Sequence, residues 1–336
     1  MSFRAGDWVE VRSVDEIMAT LDREGALAGL PFMPEMLQYA GKRFRVFKSA
    51  HKTCDTVKNS VIRRMDATVH LEGARCDGQG HGGCQAACLL FFKEAWLKPV
   101  AGGEPEGQAQ AARPVPPASD AQRAVLQAAT RTGEAGELYS CQATELLKFT
   151  TEVRRRERWD PRFYLKDLTS GNVTLREFVV YGLLSMVNAL SVKITGRRRY
   201  PHVCGEAGKQ TPDAKLNLRP GETVKVRSRD EIMQTLNAGH KNRGLWFDVE
   251  MVPHCETEQR VLSRVERIVD EKTGKMMHFS NPCIVLDGVA CSGNLSSERM
   301  FCPRAIYPYW REIWLERAES NQESERAERT LEQVAS

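Results

Sequence analysis

Gly6-Asp7-Trp8-Val9-Glu10-Val11-Arg12-Ser13 and Gly221-Glu222-Thr223-Val224-Lys225-Val226-Arg227-Ser228 are two versions of one stretch, and their equivalence decides how the chain is read. Asp15-Glu16-Ile17-Met18 returns as Asp230-Glu231-Ile232-Met233 at the same separation. The register holds without a gap through Gly29/Gly244, Phe32/Phe247, Glu35-Met36/Glu250-Met251, Arg45-Val46/Arg260-Val261 and Leu71/Leu286. It reaches Cys76-x-Gly78 and Cys291-x-Gly293. A single phase sustained over that length is the mark of an internal repeat, so two copies of one module flank a different middle.

Each copy opens with alternating residues, 8–12 and 223–227, that predict a short strand. Ser13 with Glu16, and Ser228 with Glu231, then form Ser-x-x-Glu capping boxes. They start short helices over 15–21 and 230–236. Further strands are expected at 43–47 and 67–71 in the first copy, and at 259–268 and 283–286 in the second. Beyond the cysteine loop both copies read as helices, 84–98 and 306–317, because Cys84, Cys88, Phe92 and Trp96 recur at helical spacing. Allowing the second copy three extra residues sets Cys84 on Cys302, Phe92 on Trp310, Glu94 on Glu312 and Trp96 on Trp314.

The expected fold class is therefore α+β: two repeated small SH3-like β-barrel or roll modules, each followed by a helix, with a helical middle segment. The modules occupy 1–100 and 216–318. A Gly/Pro-rich flexible linker runs over 101–119, the helical segment over 120–215, and a charged, frayed tail over 319–336. The best middle helix starts at an Asn172 or Thr174 cap and continues through Phe178, Tyr181, Leu184, Met186 and Leu190.

The strand entries Gly-x-x-Val-x-Val-Arg-Ser and residues 35–46 are similar to those of SH3-like small barrels. With the ending Cys302-Pro-Arg-Ala-Ile-Tyr-Pro-Tyr-Trp-Arg-Glu-Ile-Trp-Leu, the chain as a whole resembles an uncharacterised bacterial family of duplicated cysteine-containing proteins. That resemblance implies no particular activity.

The 336 residues are 41% apolar, ample for real cores, and the net charge of +4 is too mild to demand a nucleic-acid or membrane partner. Residues 1–7 lack a charged start followed by an apolar core, and no window approaches eighteen uninterrupted apolar residues, so the expectation is a cytoplasmic protein without membrane attachment. In that compartment the ten cysteines are expected as thiols, and clustered thiols more often bind metal or react than form disulfides.

The first copy offers Cys54, Cys76, Cys84 and Cys88, and the second Cys255, Cys283, Cys291 and Cys302. Four thiolates per module is what a tetrahedral zinc or a cubane cluster needs. Paired Cys-x-x-Cys knuckles are absent, and Cys302 precedes proline as the last ligand of ferredoxin-type runs often does, so an iron-sulfur cluster leads, with zinc the close alternative. Electron or sulfur transfer, or an accessory step in a biosynthetic pathway, is the function this implies. Cys141 and Cys204, in the middle segment, read as ordinary thiols.

The competing enzymatic reading makes Cys54 a nucleophile activated by His51 and Lys52, which requires the segment to turn. A third reading is a non-catalytic scaffold for protein or RNA. It draws on Arg154, Arg155, Arg156 and Arg158, and on Arg197, Arg198 and Arg199, although Glu152, Glu157 and Asp160 dilute the first run and nucleic acid is not favoured. His81, His254 and His278 are auxiliary ligand candidates beside the cysteines. The oligomeric state is not readable from these patterns.

Overall fold

The computed structural model describes residues 2–58, 62–100, 116–154, 156–296 and 298–318. Residues 101–115 of the expected linker and the whole of the expected tail lie outside the described residues. The class is α+β, with curled half-barrel sheets and few helices. The chain divides into two units: one comprises Met1–Ser185, Arg267–Met277 and Ser292–Ile306, the other Met186–Glu266, His278–Cys291 and Tyr307–Ser336. The division does not follow the boundaries expected from the sequence: Arg267–Met277 and Ser292–Ile306, which fall in the expected module at 216–318, join the first unit.

The first unit is built on a five-stranded sheet in the order Leu89–Lys93, Thr68–Arg75, Arg43–Ser49, Trp8–Val11, Leu97–Pro99. Val9 and Val11 point into the core while Trp8 and Glu10 stay half-buried, the alternation that the pleat imposes on a sheet with one covered face. A smaller sheet pairs Lys52–Cys54 with Ile62–Arg64, and the latter with Thr151–Glu152. The second sheet runs Met276–Leu286, Glu258–Val269, Thr223–Val226, Leu315–Arg317. Its central pairings fall on the equivalent residues of the first sheet: Trp8 opposes Arg45 there, and Thr223 opposes Arg260 here.

Both capping boxes form. Ser13 Oγ accepts the Glu16 amide and Glu16 Oε2 accepts the Ser13 amide, with Ser228 and Glu231 doing the same. The helices they start, Val14–Met18 and Arg229–Thr235, bury Ile17 and Ile232. Equivalent tryptophans anchor the two cores. Trp96 Nε1 donates to Thr20 Oγ1 at 3.0 Å with Phe32 edge-on to its ring, and Trp314 Nε1 donates to Thr235 Oγ1 at 2.9 Å with Phe247 edge-on. Such rings combine large apolar burial with one satisfied polar atom.

Two expected helices are absent. Residues 84–88 are loop, Leu89–Lys93 is a strand buried on both faces, and Glu94–Trp96 is one tight 3-10 turn. A short continuous apolar run such as Leu89-Leu90-Phe91-Phe92 fits a buried strand as well as a helix, and pairing with Thr68–Arg75 decides for the strand. Likewise 306–317 holds an isolated bridge from Trp310 to Ile284, a 3-10 turn at Glu312–Trp314 and the strand Leu315–Arg317. Pro308 removes an amide that a helix there would need.

The middle segment is helical in three pieces: Asp120–Ala129, Pro161–Thr169 and Leu175–Thr195. Thr174, rather than Asn172, caps the last, accepting the Glu177 amide at 3.2 Å, while the Asn172 side chain bonds the Ser49 backbone on both sides. Leu175–Thr195 has a mean hydropathy of 1.5 and is long and apolar enough, by length and composition, to cross a membrane. Ser185, Asn188 and Ser191 interrupt its apolar run, which is why uninterrupted counting passes over it.

Candidate metal centre

The Cys76 loop is shaped by glycine. Gly78, Gly82 and Gly83 adopt left-handed φ of 71°, 63° and 73°. A Cβ on Gly78 would sit 1.9 Å from the Cys84 carbonyl oxygen, so only glycine lets the chain fold back this closely. The Cys76 amide donates to the Cys88 carbonyl at 2.9 Å and closes the loop on itself. Arg75 holds its far side, donating to the Ala87 and Ala305 carbonyls. Within the same unit, Val269 N donates to Cys84 Sγ at 3.3 Å, and Gln85 exchanges hydrogen bonds with the Arg267 backbone.

Cys141 arrives from a different part of the chain by a side chain that imitates a strand. Gln142 Oε1 accepts the Phe91 amide at 2.9 Å and its Nε2 donates to the Phe91 carbonyl at 3.0 Å, so the Leu89–Lys93 edge is completed by glutamine. Its neighbour Cys141 is thereby held beside the loop. Cys76, Cys84, Cys88 and Cys141 line one depression with about 40 Å³ of free space, together with His81, Glu271 and Arg304.

One backbone amide is hydrogen-bonded to a lining sulfur, Val269 to Cys84 at 3.3 Å, and the amides of Gly78 near Cys76 and of Ala143 and Thr144 near Cys141 pull those thiols downward electrostatically. Such donors stabilise thiolate over thiol and tune a metal held there. Burial acts the other way. It pushes the Cys88 thiol up to about 12 and Cys141 to about 11, and it raises Cys76 further, with Glu35 adding to the rise. A cation among these sulfurs would offset that cost, since the charges in the lining, Arg304 and Glu271, are paired with each other at 3.3 Å.

His81 is fixed at the rim. Its Nδ1 lies 2.6 Å from Glu35 Oε1 and its Nε2 2.9 Å from the Ser140 carbonyl, so both ring nitrogens face acceptors. Among the described residues, Glu35, Cys76 and His81 offer an oxygen, a sulfur and a nitrogen mutually within 4.8 Å. Four sulfurs around one zinc would stand about 3.8 Å apart, from Zn–S bonds near 2.3 Å. Among the described residues no three of the cysteine sulfurs meet even the 4.8 Å limit, so as they stand they are too far apart to hold a single zinc ion.

The remaining candidates lie elsewhere. Cys54 and Cys302 form a separate buried pair in the first unit, with the Cys54 amide donating to Cys302 Sγ at 3.2 Å. The hydrogen bond from Cys302, together with burial, raises the Cys54 thiol well above its usual value, the reverse of what a nucleophile needs. Neither neighbour serves Cys54. Lys52 Nζ lies 2.5 Å from Asp167 Oδ2, and His51 Nε2 lies 3.2 Å from Asp167 Oδ1, off the hydrogen-bond line. In the second unit Cys283 is buried near Arg311, whose Nη1 donates to its sulfur at 3.5 Å, and Cys255 packs on the core. Cys291 belongs to that unit and Cys302 to the first, and the second copy shows no counterpart to the four-thiol depression among the described residues. Cys204 is exposed.

His70 packs beside Phe91 on the same strand pair, wholly buried. Its Nδ1 donates to the Leu90 carbonyl, and burial lowers its pKa to about 3. Above the unfolded value of 6.5 neither state is protonated. As pH falls from 6.5 towards 3, only the unfolded chain takes up the proton, so stability drops by about 1.4 kcal/mol per pH unit. Denaturant unfolding at pH 7 and pH 4 should show the wild type losing about 3 kcal/mol more than His70→Asn, which keeps a donor but cannot titrate. Equal losses in the two proteins would contradict this reading of His70.

Cys141 is the residue that sequence reasoning missed. Its available signal was local, a Cys-x-x-Thr turn in which the Thr144 hydroxyl accepts the Cys141 amide at 2.9 Å. No family model matches the chain, and no curated protein matches it.

Proposed function

We propose that this chain is a metal-binding protein that holds an iron-sulfur cluster through Cys76, Cys84, Cys88 and Cys141, and that it serves electron or sulfur transfer or an accessory step in a biosynthetic pathway. The observation that carries the reading is four thiols lining one depression, with the Val269 amide donating to the Cys84 sulfur. Four cysteine ligands are the usual complement of a cubane, and hydrogen bonds to sulfur are among the levers that set its potential. When bound, the cluster would supply one-electron chemistry. The chain's own part is to exclude water with Met33, Leu89 and Phe91 and to hold the Arg304–Glu271 ion pair at the edge of the depression.

The duplicated SH3-like module belongs to the same proposal. It is supported by the matching strand pairs and tryptophan anchors, with the metal retained by one copy. A cytoplasmic location suits ten cysteines that form no disulfide, since a reducing compartment keeps thiols reduced. Zinc is the second reading, favoured by the close Glu35, Cys76 and His81 donors. Anaerobic purification with iron, zinc and acid-labile sulfide analysis tests both. Iron with matching sulfide supports the cluster, zinc alone supports the second reading, and a folded metal-free protein defeats both in favour of a scaffold.

A further inference from the structure

The small sheet of the first unit ends at the edge strand Lys52–Cys54, and residues 302–304 close that edge. Cys302 Sγ accepts the Cys54 amide at 3.2 Å, while Arg304 Nη1 donates to the Cys54 carbonyl at 3.4 Å and to Thr56 Oγ1 at 2.7 Å. The Cys54 thiol donates to the same Cys302 sulfur, so two sulfurs 248 positions apart in the chain are in hydrogen-bond contact inside the fold. Phe301 and Ala305 bracket the segment at left-handed φ of 60° and 44°. Phe301 is bulky and fully buried, and such a residue rarely takes that conformation unless its surroundings impose it. The turn at Phe301 delivers Cys302 to Cys54.

The surroundings narrow what two such thiols can do. Among the described residues no imidazole, carboxylate or third thiol joins them in a set of donors mutually within 4.8 Å. The nearby carboxylates are committed, Asp55 to Arg63 at 3.1 Å and Glu271 to Arg304 at 3.3 Å. The chemistry left to the pair is a sulfur–sulfur bond. The two sulfurs are not equivalent: Cys302 accepts both hydrogen bonds, which favours negative charge on it, while Cys54 keeps its proton as a donor. Cys54 and Cys302 are only 5% and 4% exposed, which shuts out a bulky disulfide and admits only the smallest oxidants.

We infer that Cys302 and Cys54 form a dithiol site for hydrogen peroxide, in which Cys302 attacks and Cys54 resolves. The Cys302 thiolate attacks one peroxide oxygen: an S–O bond forms, the O–O bond breaks, and hydroxide leaves to take up a proton as water. The Cys54 sulfur then attacks the Cys302 sulfenic acid: the S–S bond forms, the S–O bond breaks, and the departing hydroxide takes the Cys54 proton as a second water. Together the two thiols lose two electrons and the peroxide gains them. The pair shares no sulfur with the four-thiol depression, so this site and the metal proposed above fail separately.

The test treats the anaerobically purified full chain with graded hydrogen peroxide, unfolds it in the presence of an alkylating agent and digests it without reductant for mass spectrometry. The wild type should yield two peptides joined through Cys54 and Cys302, two hydrogens lighter than the separate peptides and parted by dithiothreitol. Cys54→Ser lacks the resolving thiol, so Cys302 should accumulate as sulfenic acid and be trapped by dimedone added with the denaturant. Its labelling should exceed that of Cys54 in Cys302→Ser by at least about tenfold, because only Cys302 carries the hydrogen bonds that favour thiolate. Oxidised glutathione should modify neither residue while the chain is folded. Far-UV circular dichroism establishes that both variants fold. A wild type that yields no Cys54–Cys302 linkage overturns the inference, and so does equal trapping at the two sulfurs. Glutathione captured on Cys302 of the folded chain overturns the peroxide assignment in favour of a disulfide-exchange site.

Discussion

Asp167→Ala should destabilise the first unit by about 3–5 kcal/mol, the cost of leaving a buried ammonium without its carboxylate. Lys52 is fully buried, its Nζ is 2.5 Å from Asp167, and the rings of Phe163, Tyr164 and Phe301 surround it at 4.9, 5.1 and 5.6 Å. Ring faces attract the cation but do not replace a counter-ion in so dry a place. The double variant Lys52→Met with Asp167→Leu should recover most of the loss, since well-packed apolar groups often substitute for a buried pair at little cost. Urea unfolding reads both. A single variant within about 1 kcal/mol of wild type would mean that water reaches Lys52.

Cys141→Ser is expected to reduce bound metal to less than about a tenth of wild type, because one missing sulfur opens the donor set and lets ligand exchange proceed. Cys302→Ser, which alters the neighbouring thiol pair and no lining sulfur, should retain full metal content. Iron and labile sulfide per folded chain separate the two variants. Equal retention would remove Cys141 from the site, and equal loss would indicate that the Cys54 and Cys302 pair supports the metal.

The contrast between those variants measures what the residue pattern could say. The alternating strands and Ser-x-x-Glu caps were legible because they are local: Val9, Val11, Ser13 and Glu16 act through neighbours a few positions away. Strand identity at Leu89–Lys93 was not, because its burial on both faces erases the period that distinguishes strand from helix. Cys76 was readable from its glycine loop, whereas Cys84 and Cys88 were named from a helical spacing that the loop over 84–88 does not have. Cys141 was hidden because a glutamine side chain, rather than a strand or a motif, brings it to the others.

The duplication itself misled in one respect. Equivalent positions suggested equivalent sites, yet Cys302, the counterpart of Cys84, lies in the first unit against Cys54. Gly293 still approaches the Cys302 backbone as Gly78 approaches Cys84, so the loop geometry was kept while the donor set was not.

X-ray absorption at the edge of the bound metal addresses the four-thiol site most directly. A first shell of sulfur alone near 2.3 Å, with a metal neighbour beyond it, is the outcome expected of a cluster on Cys76, Cys84, Cys88 and Cys141. A shell containing nitrogen and oxygen at about 2.0–2.2 Å would move the metal onto Glu35, Cys76 and His81 and contradict the four-thiol assignment.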